Sequence, residues 1–318
     1  MQNNKLFQSM YDEIIKAHYI LIVTHDNPDP DTISSALSLS NYFFENKIKH
    51  KVFNSSTLVP RKLNFLSKFE KITNIIPKYY DLVIYLDCAN KHRVKEIFLD
   101  DVKTISVDHH QTNSNFANIN IVDFTKSSTA ELLFHFFKEN NLKISKHNAE
   151  CLYTGIYDDS LAFSSPRTNK ETFNVICELM DAKIDVSYIT DKLLRRESLA
   201  KFRIIPKVMN TLELFKEGKL ATIYLDEKDL IHTGGNQSET DDIINLVLNI
   251  GIVELVVYLR ITDDCIRGSL RSKGNIDVSQ IAKKFNGGGH KNSAGLKIHS
   301  RDLIKTHKDV VSVILDYI

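Results

Sequence analysis

The chain has 318 residues, with 41 Lys+Arg against 40 Asp+Glu and a formal net charge of +1. At roughly 100–200 residues per domain this length predicts about two domains, and 42% hydrophobic with 25% charged residues excludes a disordered chain. Balanced charge argues against a grip on long duplex DNA through its phosphates, but leaves room for a small acidic ligand held by a few local cations.

Cys88, Cys151, Cys177 and Cys265 lie far apart with no C-x-x-C pair. That gives neither a disulfide framework nor a zinc knuckle and fits a reducing compartment. The N-terminal stretch has no basic flank, and its apolar run, Tyr19 to Val23, is too short for a signal core or a membrane span. A cytoplasmic location with no membrane partner is expected.

In chain order, three apolar runs end abruptly in acids or histidines: YILIVTH (19–25), DLVIYLDC (81–88) and KTISVDHH (103–110). Continuous runs of this kind predict strands buried on both faces, as in a parallel sheet. Helical patterns occupy SSALSLSNYFF (34–44) and SSTAELLFHFFKENN (127–141), the latter opening with a predicted capping box from Ser128 to Glu131. Alternating strands and helices predict an α/β domain over 1–186. Residues 187–215 read as a helical linker, interrupted once at Pro206, with Arg195 and Arg196 on its surface. A smaller mixed α/β domain is expected over 216–318. Its pattern predicts a strand (219–226), a helix (238–250), a hairpin (253–261 and 265–272, with Asp263 and Asp264 at the turn) and a helix (278–285) before a glycine run.

Ligands of an open parallel sheet bind outside the carboxyl ends of its strands. The first predicted strand ends at His25, followed by Asp29 and Asp31; the second ends at Asp87; the third ends at Asp108, His109 and His110. Singly, each has a plainer reading: Asp29 or Asp31 can cap a helix starting near Thr32, and a lone histidine is usually a hydrogen-bonded structural residue. Jointly, three strand ends place oxygen and imidazole donors on one rim, which suits Mg²⁺ or Mn²⁺ better than structural zinc. So many carboxylates repel one another unless cations neutralise them. The pattern predicts a two-metal site.

VTHDNPDPDTISSALSL, YLDCAN, VDHHQTNSNF and GIYDDSLAF resemble, in that order, the four motifs of the DHH phosphoesterase family. FNGGGHKNSAG, preceded by SLRSKG, resembles the signature of the family's associated C-terminal domain, so the resemblance covers nearly the whole chain. LDCANKHRV and the compact two-domain length are similar to the bacterial nanoRNase and 3′-phosphoadenosine 5′-phosphate phosphatase branch. The resemblance implies one metal held by His25, Asp29 and Asp87, and a second held by Asp31, Asp87, His109 and Asp159, with Asp87 bridging. Two Mn²⁺ are expected, with Mg²⁺ or Co²⁺ as substitutes. The chain departs from the family pattern at Asp158 and Ser160 around Asp159, at Pro30 between the two aspartates, and at Asn286, which replaces the first of four glycines. Asp158 is read as a supporting or capping residue.

The catalytic residues implied are His110, Asp87 and Asp108. His110 would face the substrate phosphate, and Asp108 would orient a histidine. Arg93, Ser127, Arg271, Gly288, Gly289 and His290 are the candidate substrate contacts, although Ser127 and Ser128 also fit a helix cap. The glycine run 287–289 has two readings, a tight loop before a helix at 291–295, or a backbone cradle for an anion facing a helix N-terminus. Adjacent His290 and upstream Arg271 favour the second. Together these features predict hydrolysis of short oligoribonucleotides to 5′-mononucleotides and of 3′-phosphoadenosine 5′-phosphate to AMP and phosphate, by two cations that activate a water. The second domain is expected to hold the far end of a short substrate, and a homodimer is compatible with the sequence. The rivals are a cyclic di-AMP phosphodiesterase on the same scaffold, an inorganic pyrophosphatase, whose C-terminal domain lacks the Gly-Gly-Gly-His signature, a longer RecJ-type exonuclease, and a non-catalytic nucleotide sensor, which has no need of a bridging Asp87.

Overall fold

The computed structural model describes residues 2–56, 59–94, 102–195, 197–262 and 265–317; of Gln2, Asn3, Arg61, Ser238 and His290 it describes the backbone alone. The chain divides into two compact units, Met1–Arg196 and Glu197–Ile318.

In the first unit, helix α1 (Gln2–Lys16) leads into strand β1 (Ile20–Thr24), α2 (Pro30–Glu45), β2 (His50–Phe53), β3 (Ile72–Thr73), β4 (Leu82–Leu86), β5 (Lys103–Asp108) and β6 (Ile119–Val122). Helices α3 (Thr129–Glu139), α4 (Lys146–Asp159), α5 (Lys170–Met180) and α6 (Val186–Leu194) follow. The strands pair in parallel in the order β3-β2-β1-β4-β5-β6. Every residue of β1 and β4 is buried, because alternate side chains feed two cores. Ile20, Ile22, Leu82, Ile84 and Val107 join Leu37, Phe43, Leu133 and Leu152 on one face. Leu21, Val23, Val83 and Tyr85 join Phe53, Tyr80 and Cys88 on the other. That division is why these strands read as unbroken apolar runs. Strand order reverses between β1 and β4, so their carboxyl ends form the crevice where such sheets bind ligands.

Local chemistry sets the ends of the helices facing this crevice. Asp29 caps α2 by accepting from Thr32 N at 3.0 Å, and Pro30 takes the first turn, where its fixed φ suits a helix and its missing N–H is no loss. Pro30 therefore fits the loop, and the helix starts two residues before Thr32. Ser128 caps α3 through Glu131 N at 3.0 Å. The reciprocal half of the expected capping box does not form there, because the Glu131 carboxylate accepts instead from Ser127 N at 3.1 Å and Ser127 Oγ at 2.5 Å.

The second unit runs α7 (Leu199–Met209), β7 (Glu213–Phe215), β8 (Leu220–Leu225), α8 (Glu227–Thr233), α9 (Ile243–Leu248), β9 (Leu255–Ile261), β10 (Ile266–Ser272), α10 (Val278–Lys283), β11 (Gly288–His290), β12 (Ser293–Ile298) and α11 (Leu303–Ile314). Its sheet has the order β11-β12-β10-β9-β8-β7, with β8 and β9 parallel and the other neighbours antiparallel. The expected hairpin is β9–β10; its turn residues Asp263 and Asp264 lie outside the described residues, as does Arg196.

Two expectations are corrected. No helix forms at 291–295; that stretch turns into β12 and pairs with β11. A Cβ on Gly287 would lie 2.2 Å from the Gly295 carbonyl oxygen, and one on Gly289, at φ +151°, would lie 2.4 Å from that of Ser293. These glycines serve the close backbone approach of a hairpin, and no helix N-terminus follows them. The segment 187–215 holds two helices with separate allegiances. Ile189 and Leu193 of α6 enter the first unit's core, whereas Ile204 and Val208 of α7 enter the second's. Pro206 lies inside α7, and the helical pattern breaks between Leu194 and Leu199 instead. Among the described residues no helix is long and apolar enough to cross a membrane.

Gly155 of α4 governs the approach of three helices. A Cβ there would lie 2.6 Å from Asp31 Oδ1 and Ser34 Oγ and 2.7 Å from Ala130 Cβ. Gly155→Ala is expected to cost about 1–3 kcal/mol by overpacking, read as a lower urea unfolding midpoint; an unchanged midpoint would show that α4 can move off freely.

Candidate metal centre

The carboxyl ends of β1, β4 and β5 bring His25, Asp87 and the Asp108–His110 run together, and the start of α2 and the end of α4 add Asp29, Asp31 and Asp159. His25 Nε2 lies 3.5 Å from Asp29 Oδ2 and 3.7 Å from Asp87 Oδ2. His109 Nε2 lies 3.5 Å from Asp87 Oδ1 and 3.3 Å from Asp159 Oδ2. Two donor sets thus converge, His25–Asp29–Asp87 and Asp31–His109–Asp159, each with its atoms within 4.8 Å of one another, and Asp87, His109 and His110 form a third that overlaps both. Asp87 stands between them, with one carboxylate oxygen towards each histidine. Asp158 joins neither set and pairs with Lys62 at 3.6 Å.

Backbone devices aim these side chains. Asp87 sits in the left-handed region at φ +60°, an uncommon conformation for a residue with a Cβ, and its N–H donates to the Val107 carbonyl at 2.9 Å. Thr129 Oγ1 donates to Asp87 Oδ1 at 2.9 Å. Asp31 receives the N-terminal amides of α3, from Thr129 at 2.7 Å and Ala130 at 3.1 Å, so the positive end of that helix faces its charge. Asp108 Oδ1 lies 2.7 Å from His110 Nδ1, and Asn113 Nδ2 donates to Asp108 Oδ2 at 2.6 Å. The fully buried Asp108 thereby fixes the ring of the partly exposed His110.

The electrostatics report crowded negative charge. Burial, then the charges of Asp87, Asp159 and Asp29, raise Asp31 well above the usual carboxylate value. Burial and the Asp87 charge push Asp159 up to about 7. Burial lowers the His25 pKa, but the Asp29 and Asp87 carboxylates beside its ring outweigh it and lift it to about 9. His110 is likewise raised by its Asp108 bond against burial, whereas burial keeps His109 lowered. Burial would raise Asp29 and Asp108 too, but their histidine hydrogen bonds bring both below the ordinary value.

The donors fit divalent cations. His25 Nδ1 lies 2.8 Å from the Asp26 carbonyl, and with the ring's one proton on Nδ1, donated to that carbonyl, Nε2 is the lone pair that a cation takes. Nε2 is buried without a hydrogen-bond partner and faces two carboxylates. A buried ring nitrogen facing two carboxylates needs positive charge among them, which a proton or a divalent cation supplies.

The remaining candidates are distributed unevenly. Arg93 is half-buried and its Nη2 lies 3.1 Å from His25 Nδ1, which puts it at the rim. Ser127 is fully buried, with its hydroxyl donating to Glu131. Arg271, on β10 of the second unit, donates to Ser293 Oγ and to the Leu270 carbonyl at 3.4 Å. Gly288 and Gly289 are exposed on β11, and the His290 side chain lies outside what is described. Thr129, Asn113 and Arg167 were not singled out in the sequence. Arg167 Nη1 lies 3.1 Å from His109 Nδ1, and its Nη2 lies 3.3 Å from Asp159 Oδ2. An arginine eight residues after a candidate ligand has no pattern that separates it from a surface one.

Comparison with known proteins places the chain among recognised domains and relatives. The family model described as the DHH family, N-terminal domain, matches residues 19–156, and that of the DHHA1 domain matches residues 217–316. The bifunctional oligoribonuclease and PAP phosphatase NrnA of Thermus thermophilus is 29% identical over 95% of this chain and 91% of its own length. The Bacillus subtilis protein of the same description is 28% identical over 92% of each. A crystal structure of an exopolyphosphatase-related protein from Bacteroides fragilis superposes with a TM-score of 0.88 at 26% identity, over 98% of this chain and 95% of that one.

The raised groups give a pH signature for the metal-free protein. Asp31 and Asp159 bind protons more tightly folded than unfolded, so their stabilising effect is lost as pH rises, for Asp159 from the ordinary 3.8 to about 7. That of His25 is lost between 6.5 and about 9. His109 opposes this below 6.5, and the effects of Asp29 and Asp108 fall away on acidification through the carboxylate range. The melting temperature in EDTA is therefore expected to fall from about pH 5 to about pH 9, while the rise produced by added Mn²⁺ grows, because the ion displaces those protons. A Mn²⁺ effect that shrinks with pH would contradict the ligand assignment.

Proposed function

Since the chain belongs to the DHH phosphoesterase family, with the DHH domain followed by the DHHA1 domain, we propose that it hydrolyses short oligoribonucleotides to 5′-mononucleotides and 3′-phosphoadenosine 5′-phosphate to AMP and phosphate. The observation that carries the reading is Asp87, buried between two donor sets with one oxygen towards each. The oligoribonuclease and PAP phosphatase relatives, which align over nearly their whole length, support the substrate class.

Two cations, Mn²⁺ by preference, would be held by His25, Asp29 and Asp87 and by Asp31, Asp87, His109 and Asp159. When bound they supply Lewis-acid activation of water and neutralise charge at phosphorus. The protein's own groups do the rest. Asp108 holds His110 through Nδ1 at 2.7 Å, and that bond raises the pKa of the imidazole and favours its protonated form. His110 is thus the group able to protonate a leaving oxygen. Arg93 offers a guanidinium at the rim for a phosphate oxygen. Arg271, Gly288, Gly289 and His290 are the proposed substrate-binding residues of the DHHA1 domain. The same reading places the enzyme in the cytoplasm, with short RNA and nucleotides as its partners.

A substrate panel with Mn²⁺ tests the proposal: pApA, longer RNA, cyclic di-AMP, 3′-phosphoadenosine 5′-phosphate and pyrophosphate. Turnover of pApA and 3′-phosphoadenosine 5′-phosphate is expected to lead, and Asp87→Ala is expected to abolish it. Faster cleavage of cyclic di-AMP than of pApA would transfer the protein to the rival reading. His110→Ala should keep its metal content by mass spectrometry yet lose about 10²–10⁴-fold in kcat; loss of metal in that variant would make His110 a ligand.

A further inference from the structure

Behind the candidate metal centre lies a second charged cluster, and it is filled by the chain's own cation. The Lys126 ammonium lies 2.6 Å from Glu171 Oε1, 3.2 Å from His135 Nε2 and 3.8 Å from Glu131 Oε1. Those three acceptor atoms form a convergent set of the kind that holds an ion. Glu131 is fully buried, and its Oε1 has no hydrogen bond. Its Oε2 accepts from Ser127 N, Ser127 Oγ and Thr172 Oγ1 at 3.1, 2.5 and 3.1 Å. The cluster therefore ties the turn 126–131 to α3 and, through Glu171 and Thr172, to α5.

That turn touches three of the candidate ligands. The Lys126 carbonyl lies 3.4 Å from His109 Nδ1, Thr129 Oγ1 donates to Asp87, and the Thr129 and Ala130 amides donate to Asp31. We infer that Lys126, with Glu131 and Glu171, is a positioning residue whose ion-pair network, buried at Glu131 and half-exposed at Glu171, sets the turn, and through it the geometry of His109, Asp87 and Asp31 for metal. Removing the ammonium leaves the Glu131 carboxylate buried and unpaired, and the turn must shift to relieve it. Outer partners of metal ligands typically govern affinity by about 10–100-fold.

The inference rests on the two-cation reading, so the test measures Mn²⁺ binding directly, by calorimetry on the metal-stripped full chain, beside kcat at saturating Mn²⁺. Lys126→Met is expected to weaken Mn²⁺ binding about tenfold or more, with kcat largely restored once the metal saturates. Adding Glu131→Gln to that variant removes the stranded charge and is expected to recover part of the affinity, a coupling that simple loss of packing does not produce. Glu171→Gln, at a half-exposed side chain, keeps the test decisive if Lys126→Met fails to fold, and should weaken binding in the same direction. Unchanged Mn²⁺ affinity in the folded variants would overturn the positioning role. No Mn²⁺ binding by the unsubstituted chain would overturn the two-cation reading itself.

Discussion

Asp31, Asp87 and Asp159 crowd their carboxylates onto one sheet edge, and the mutual repulsion of these anions is the constraint that the rest of the first unit answers. Burial and their neighbours' charges raise Asp31 and Asp159, the signature of anions short of positive partners. The protein does not relieve the strain by spreading them apart. It gives each a donor: the N-terminal amides of α3 on Asp31, the Thr129 hydroxyl on Asp87, and Arg167 on Asp159. A site built this way is preorganised for cations and unfavourable without them. Its cost is borne by the two apolar cores on either face of the sheet, which the ligands do not interrupt.

The fold reaches this arrangement by topology. Reversal of strand order between β1 and β4 leaves their carboxyl ends adjacent but their following loops diverging. His25 and Asp87 therefore emerge side by side, while α2 and α3 can bring their N-termini to the same rim. Asp29 divides its two oxygens between these tasks, one capping α2 at Thr32 N and the other facing His25. Gly155 completes the frame, because only a residue without a side chain lets α4 lie against Asp31 and Ala130 and deliver Asp159.

Much of this was legible in the sequence for one physical reason. Strands buried on both faces have no polar alternation, so β1, β4 and β5 announced their own ends, and those ends are the site. The edge strand β3 and its neighbour β2 are short and partly polar, and β6, at the other edge, is half-exposed, so their sequences carry little signal. The hairpin β11–β12 was misread because glycines before a small polar stretch suit either a helix start or a close backbone crossing. Long-range approach, visible in the Gly287 and Gly289 contacts, decided the matter. Thr129, Asn113, Arg167 and Lys126 escaped because their residue types have ordinary surface roles; only their distances to Asp87, Asp108, His109 and Glu171 distinguish them. Ser127 was singled out for the opposite reason, a hydroxyl near the site that proves to be committed to Glu131.

The two candidate ligand histidines share an arrangement that links metal to substrate. Nδ1 of His25 lies 2.8 Å from the Asp26 carbonyl and 3.1 Å from Arg93 Nη2; Nδ1 of His109 lies 3.4 Å from the Lys126 carbonyl and 3.1 Å from Arg167 Nη1. One ring nitrogen cannot donate to a carbonyl and accept from a guanidinium at once. Donation to the carbonyl leaves Nε2 as the lone pair a cation requires, whereas acceptance from arginine moves the proton to Nε2, beside a carboxylate that can receive it. The second tautomer suits the metal-free site and the first suits the loaded one. With a cation on Nε2, Arg93 and Arg167 would lose their histidine acceptors, and their guanidiniums would be donors suited to the oxygens of a phosphoester. Charge that the carboxylates concentrate for the metal is thus matched, one arginine per histidine, by charge suited to an anionic substrate.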